Sequence, residues 1–117
     1  MKPAATAHSH NPWLAHSVRI ARMASATPGV FTCDLTFDDA AVTEEYSYRP
    51  GQFNMLYLPG LGEIAISISG DPGLREVVSH TIREAGNVTR ALAQLPVNSS
   101  IGMRGPFGSH WPVEDCV

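Results

Sequence analysis

The sequence predicts an all-β domain: a six-stranded antiparallel Greek-key barrel with one short capping α-helix. Three observations carry that prediction. Apolar runs of strand length recur from Leu14 onward, with turn signals between them. One of them, VFTCDLTF, alternates with a strict period of two. Only one stretch, from Asn87 to Gln94, reads as a helix. A single helix cannot cover a sheet face but can plug one end of a barrel, and closure removes the exposed edges that invite aggregation.

Taken in order, Val18–Met23 is the first strand. The second is GVFTCDLTF, with Phe31, Cys33, Leu35 and Phe37 on one face and Thr32, Asp34 and Thr36 on the other. The Pro28-Gly29 turn makes the pair a hairpin. FDDAAVTEEYSYRPG is a longer acidic connection, with Asp38-Asp39 and Glu44-Glu45 read as a solvated loop. QFNMLYLP and EIAISIS are the third and fourth strands, joined by GLG, and GDPG turns the chain again. LREVVSHTIR is the fifth strand, with Val78, His80 and Ile82 on one side and Val77, Ser79 and Thr81 on the other. Asn87 is placed as the helix N-cap, after Gly86. SSIGMRGPFG is the last strand, running into a Gly-Pro-Phe-Gly turn.

A length of 117 residues suits one domain with one core. Residues 1–12 read as a disordered tail and 13–111 as the barrel. The net charge of -3 and the lack of any basic run argue against nucleic acid. No apolar run approaches the roughly 20 residues of a membrane span. The start has no apolar signal core, so a cytoplasmic location is expected. Cys33 and Cys116 match no zinc or iron–sulfur spacing, and Cys33 reads as a small core residue. His8, His10 and His16 read as polar tail rather than a metal site. The sequons at Asn87 and Asn98 read as chance matches. No paired carboxylates or Ser/His/Asp arrangement offers a hydrolytic site.

Two constellations point to chemistry. The fourth strand closes on Ser67 and Ser69, hydroxyls that either face solvent across the pleat from Ile64, Ile66 and Ile68 or serve a ligand. In HTIREAGNVTRAL, a glycine meets a helix start, where backbone N–H groups and the positive dipole end suit a pyrophosphate. Gly86 permits close approach there, the Thr89 hydroxyl can assist, and Arg83 is either a phosphate cation or a solvated surface charge.

YRPGQF, ISIS, GNVTRAL and GPFG stand in the order and spacing of the FAD-binding domain of the ferredoxin–NADP reductase family. The resemblance runs from about Asn11 to Pro112. It is nearest to the gamma subunit of nickel–iron hydrogenases and sulfhydrogenases, and close to the electron-transfer subunit of dihydroorotate dehydrogenase. It implies FAD as cofactor, with Ser67 at flavin N5 as the catalytic contact. Ala65, Ile66 and Ser67 would line the ring; Thr81, Ile82 and Arg83 the adenosine side; Gly86, Asn87, Val88 and Thr89 the diphosphate. The chain departs from the family's Arg-x-Tyr-Ser pattern at two positions, Ile64 and Ile66.

The resemblance further implies that residues 112–117 begin a linker to an NAD(P)-binding domain absent here. The partners would be that domain and the iron–sulfur or hydrogenase subunits. The expected function is a flavoprotein oxidoreductase passing electrons between NAD(P)H and such a partner. The alternative, favoured by the missing arginine, is a non-catalytic barrel that binds a partner protein and has lost flavin.

Overall fold

A computed structural model describes residues 10–74 and 76–108. Six strands and two short helices follow one another as β1 (His16–Thr27), β2 (Val30–Phe37), α1 (Ala40–Glu45), β3 (Phe53–Leu58), β4 (Gly62–Ser67), β5 (Val78–Arg83), α2 (Asn87–Ala93) and β6 (Ser100–Phe107). All strand pairings are antiparallel, and the sheet order is β4-β3-β6-β1-β2-β5. The late strands β5 and β6 thus return to lie beside β2 and β1, as in a Greek key.

The sheet curls until its two edges nearly meet. Closure is one isolated bridge, Ile68 with His80, supported by Ser69 N–H donating to the Ser79 carbonyl at 2.9 Å. The expected barrel is therefore present but is not a fully laddered ring. Beyond that bridge β4 and β5 form no ladder among the described residues, which leaves a seam along one side.

Period-two alternation places the core. Phe31, Cys33 and Leu35 of β2 face Val78 and Ile82 of β5 and Leu56 of β3 across the interior, all of them at most 5% exposed. Cys33 is buried as the sequence indicated, and burial, followed by the charge of Asp34, pushes its thiol up to about 12. Leu92 of α2 is fully buried among these residues, worth about 1.5–3 kcal/mol for one leucine. That anchor holds the capping helix on the barrel.

Several boundaries differ from the sequence reading, each for a local reason. β1 runs on to Thr27, because bulges between Ile20 and Arg22 and between Ser25 and Thr27 let it bend without losing β2. β5 starts only at Val78, since Asp71 holds a turn through Gly73 N–H and Leu74 N–H, each at 2.9 Å. The acidic connection contains α1, capped by Asp39 Oδ1 accepting from Ala41 N–H at 2.9 Å. Asp38 is tied to Ser17 and Arg19, and its carboxyl is held below the usual range chiefly by the Ser17 hydrogen bond. Helix α2 starts at Asn87 and ends at Ala93, with Gly86 rather than Asn87 in the N-cap position.

Candidate functional site

The interior of β3 carries a polar group where the pattern calls for an apolar one. Asn54 is fully buried, and its Oδ1 accepts from the Tyr46 hydroxyl at 3.0 Å. Its Nδ2 then donates to His80 Nε2 at 3.0 Å, which fixes the His80 proton on Nδ1. The backbone of Cys33 and of Val78 lies close enough to favour a proton there without reaching hydrogen-bond geometry, so Nδ1 is buried and unpaired. Desolvation dominates, and His80 is lowered to about 4.

This polar chain also meets the end of β6, where Gly105-Pro106-Phe107, expected as a turn, continues the strand and the bend comes only at Gly108. Gly105 has φ +143°, and a Cβ at that position would collide with Asn54 Oδ1. Its carbonyl accepts from His10 Nε2–H at 2.7 Å, and the His10 ring stands edge-on to Tyr46. Gly108, at φ +89°, turns the chain tightly against the Phe53 ring, and Gln52 Nε2 donates to its carbonyl at 2.8 Å.

The seam gathers the predicted site residues. Next to the Ile68–His80 bridge the edges part at Ser67 and Thr81; Ala65 and Ile66 of β4 and Ile82 and Arg83 of β5 lie further along the diverging edges. Ala65, Ser67, Thr81 and Arg83 are exposed on the outer face; Ile66 is half-buried and Ile82 buried on the inner one. At the closed end, Thr81 Oγ1 donates to Ser69 Oγ at 2.9 Å. Ser69 therefore joins the two edges, and Ser67 stands where they part.

At the open end the first turn of α2 lies over the start of β4, with Val88 Cγ2 3.8 Å from where a Gly62 Cβ would sit. Gly86, Asn87, Val88 and Thr89 are therefore at the mouth of the seam. No atom lies within 4 Å of a would-be Gly86 Cβ, so the backbone there is open to a ligand. The Thr89 hydroxyl, however, is fully engaged within the turn. It accepts from Ala85 N–H at 2.9 Å and Gly86 N–H at 3.0 Å, and donates to the Gly86 carbonyl at 3.1 Å. The donors left to the helix start are the amides of Asn87, Val88 and Thr89. Thr89 thus shapes this turn.

Sequence reasoning missed the outer face beside the seam. On β3, Phe53 and Met55 are partly exposed and Tyr57 is exposed. Phe53 pairs with Ser67 on one side and Phe107 on the other, while Met55 pairs with Ala65 and with Arg104. The Phe53 and Phe107 rings are 5.8 Å apart, and Trp13 lies 5.1 Å from Phe107. The Arg104 guanidinium sits 5.5 Å over both Trp13 and Phe107 and grips Glu63 through bonds of 2.6 and 2.9 Å. These residues line a depression of about 200 Å³. The signal was available: from Phe53 to Leu58 the run is apolar on both faces except for Asn54, which points inward.

A larger cleft of about 560 Å³, lined by His10, Glu45, Tyr48, Arg49, Gln52 and Pro106, lies past the closed end of the seam. Its wall residue Tyr48 reaches to Gly70. The described residues hold no group of three metal-ligating side chains, and no described helix is long and apolar enough to cross a membrane.

No protein-family model matches the chain. Curated relatives do. It is 33% identical over 105 residues to the sulfhydrogenase 1 gamma subunit of Pyrococcus furiosus, covering 90% of this chain and 36% of the relative. The sulfhydrogenase 2 gamma subunit of that organism is 30% identical over 104 residues. A probable dihydroorotate dehydrogenase B (NAD(+)) electron transfer subunit of Thermoplasma volcanium is 39% identical over 67 residues, 57% of this chain and 26% of that one. The chain is thus homologous to part of these sulfhydrogenase gamma subunits and dihydroorotate dehydrogenase electron transfer subunits.

It spans about a third of the length of the sulfhydrogenase subunits. Its fold is that of the ferredoxin reductase FAD-binding domain. An NADH-dependent reduced ferredoxin-NADP oxidoreductase superposes with a TM-score of 0.65 at 22% identity, over 80% of this chain and 33% of that one. A ferredoxin NADP+ reductase from Neisseria gonorrhoeae with bound FAD and NADP gives 0.65 at 18% identity, over 81% and 39%.

Proposed function

We propose that this chain is the FAD-binding domain of an electron-transfer subunit, passing electrons between NAD(P)H and an iron–sulfur or hydrogenase partner. One observation supports the reading: the bridge between Ile68 and His80 brings the Ser67 end of β4 beside the Thr81 end of β5, with the first turn of α2 over the start of β4. The residues fit the cofactor. An exposed hydroxyl and small apolar side chains line the seam, and backbone donors with Arg83 stand at its mouth.

Flavin supplies the chemistry of accepting hydride and releasing electrons one at a time. The chain supplies position. Ser67 Oγ would offer a small donor–acceptor at the ring's N5 edge, with Ala65 beside it on the outer face and Ile66 turned inward behind the strand. The amides of Asn87, Val88 and Thr89 take the diphosphate, with Arg83 adding the positive charge that Ile64 cannot. In this reading residues 13–111 are the flavin barrel, 1–12 an N-terminal tail, and 112–117 the start of a linker to the nicotinamide-binding part of the intact subunit. The relatives' greater length and the name NAD(+) in one of them support that division.

The second reading is a barrel that binds a partner without flavin, and the isoleucine at position 64 favours it. Incubating the chain with FAD, desalting it and recording its visible spectrum separates the two. Retained flavin bands, weakened for FAD more than for riboflavin by Arg83→Ala, support the proposal. A colourless protein at every FAD concentration overturns it. In the intact subunit, Ser67→Ala is expected to slow flavin reduction without unfolding the barrel.

A further inference from the structure

We infer that Phe53 and Phe107 form an aromatic floor for the flavin ring, in place of the aromatic side chain that the fourth strand lacks. The inference rests on the flavin reading above and concerns where on the chain the ring lies. Position 66 cannot supply a ring contact of the expected kind. It is an isoleucine, and it turns inward, paired with the buried Asn54. Besides Glu63, which Arg104 holds, the outward residues of β4 are Ala65 and Ser67, one a single methyl and the other a hydroxyl. Neither covers a ring.

The neighbouring strands do. Ser67, Phe53 and Phe107 stand in one cross-strand row over β4, β3 and β6, and Phe53 pairs directly with both of the others. Adjacent strands are about 4.8 Å apart, so the row spans about 10 Å, wide enough for a fused three-ring heteroaromatic. With the polar edge of the ring at Ser67, its hydrocarbon end falls over the two phenylalanines. Nothing about β-sheet packing requires these rings to point outward, and both are partly exposed. Both are held in place: Gly108 turns against Phe53, and Trp13 and Arg104 brace Phe107. The ion pair of Arg104 with Glu63 leaves the floor without net charge, which suits a neutral ring.

Titration of the full chain with riboflavin, FAD and ADP, read by quenching of flavin fluorescence and by competition for ADP, tests the assignment. Phe107→Ala and Phe53→Ala are each expected to weaken riboflavin and FAD by the same factor, about three- to tenfold for one aromatic contact, with ADP unaffected. Phe107→Tyr keeps the ring and should restore both affinities and the shape of the bound-flavin absorption band. FAD binding that is unchanged in both alanine variants overturns the floor while leaving the flavin reading intact. Loss of ADP along with flavin in folded variants also overturns it, since the phenylalanines would then only be supporting the seam. A wild-type chain that binds none of the flavins removes the flavin reading and the floor together.

Discussion

The two faces of β3 reverse the usual order. Its inner face holds Asn54 in line with Leu56 and Leu58, and its outer face presents Phe53, Met55 and Tyr57 to solvent. Inside, an amide is tolerable only because Tyr46 and His80 satisfy it, and those two bonds tie α1's exit, β3 and β5 together. Outside, aromatic side chains gain little by exposure, so they belong where something else will cover them. One face is built for stability and the other for contact. A residue's chemistry alone does not say which face it serves.

If that division is right, the largest loss of stability comes from the inner amide. Asn54→Leu should cost about 2–4 kcal/mol in urea unfolding, because it strands the Tyr46 hydroxyl and leaves the buried imidazole unpaired. A loss below about 1 kcal/mol would mean the polar chain is incidental.

The same chain predicts a pH dependence. Buried His80 is lowered from 6.5 to about 4, so between those values the unfolded chain binds a proton that the folded one refuses. Stability should be complete above pH 6.5 and decline by about 1.4 kcal/mol per unit on acidification, about 3 kcal/mol in all by pH 4. His80→Gln, compared over the same range, should flatten that decline. Asp38 and Glu63 titrate below the ordinary carboxylate range, so their contributions are lost at still lower pH.

The outer face should respond weakly. Met55→Thr is expected to change the unfolding free energy by no more than about 0.5 kcal/mol, since its partner rows are open to solvent. Glu63→Gln breaks an ion pair whose side chains are 25–30% exposed, and should likewise cost no more than about 0.5 kcal/mol, vanishing in high salt. A larger effect from either variant would show that the outer face also holds the fold together.

Much of this was legible in the sequence where a single periodicity governs. VFTCDLTF declares its buried face because polar and apolar residues alternate, and the inward set of Val78, His80 and Ile82 followed from the same rule. The seam residues were legible as motifs, but their convergence was not. It depends on β5 returning beside β2 while β4 sits at the opposite end of the sheet. α1 was hidden because Asp39 reads equally well as a loop acid and as a cap until Ala41 is seen to donate to it. The role of Thr89 was mis-set for a similar reason, since a threonine three residues past a glycine can serve a ligand or its own turn. The outer aromatics escaped notice because a strand apolar on both faces looks like ordinary core.

The lone bridge between Ile68 and His80 acts as a clasp on a ring that is otherwise continuous. Opening a clasp is a local event. It exposes two strand edges without disturbing the fully paired hairpins elsewhere, and so costs less than global unfolding. The amide of Ser69, held only by the Ser79 carbonyl across that join, should exchange with solvent faster than the amides of β2. A ligand lying along the seam would touch both edges at once and work as a stitch. The resting barrel is then a breathing vessel, and its tightness is set by what fills the groove.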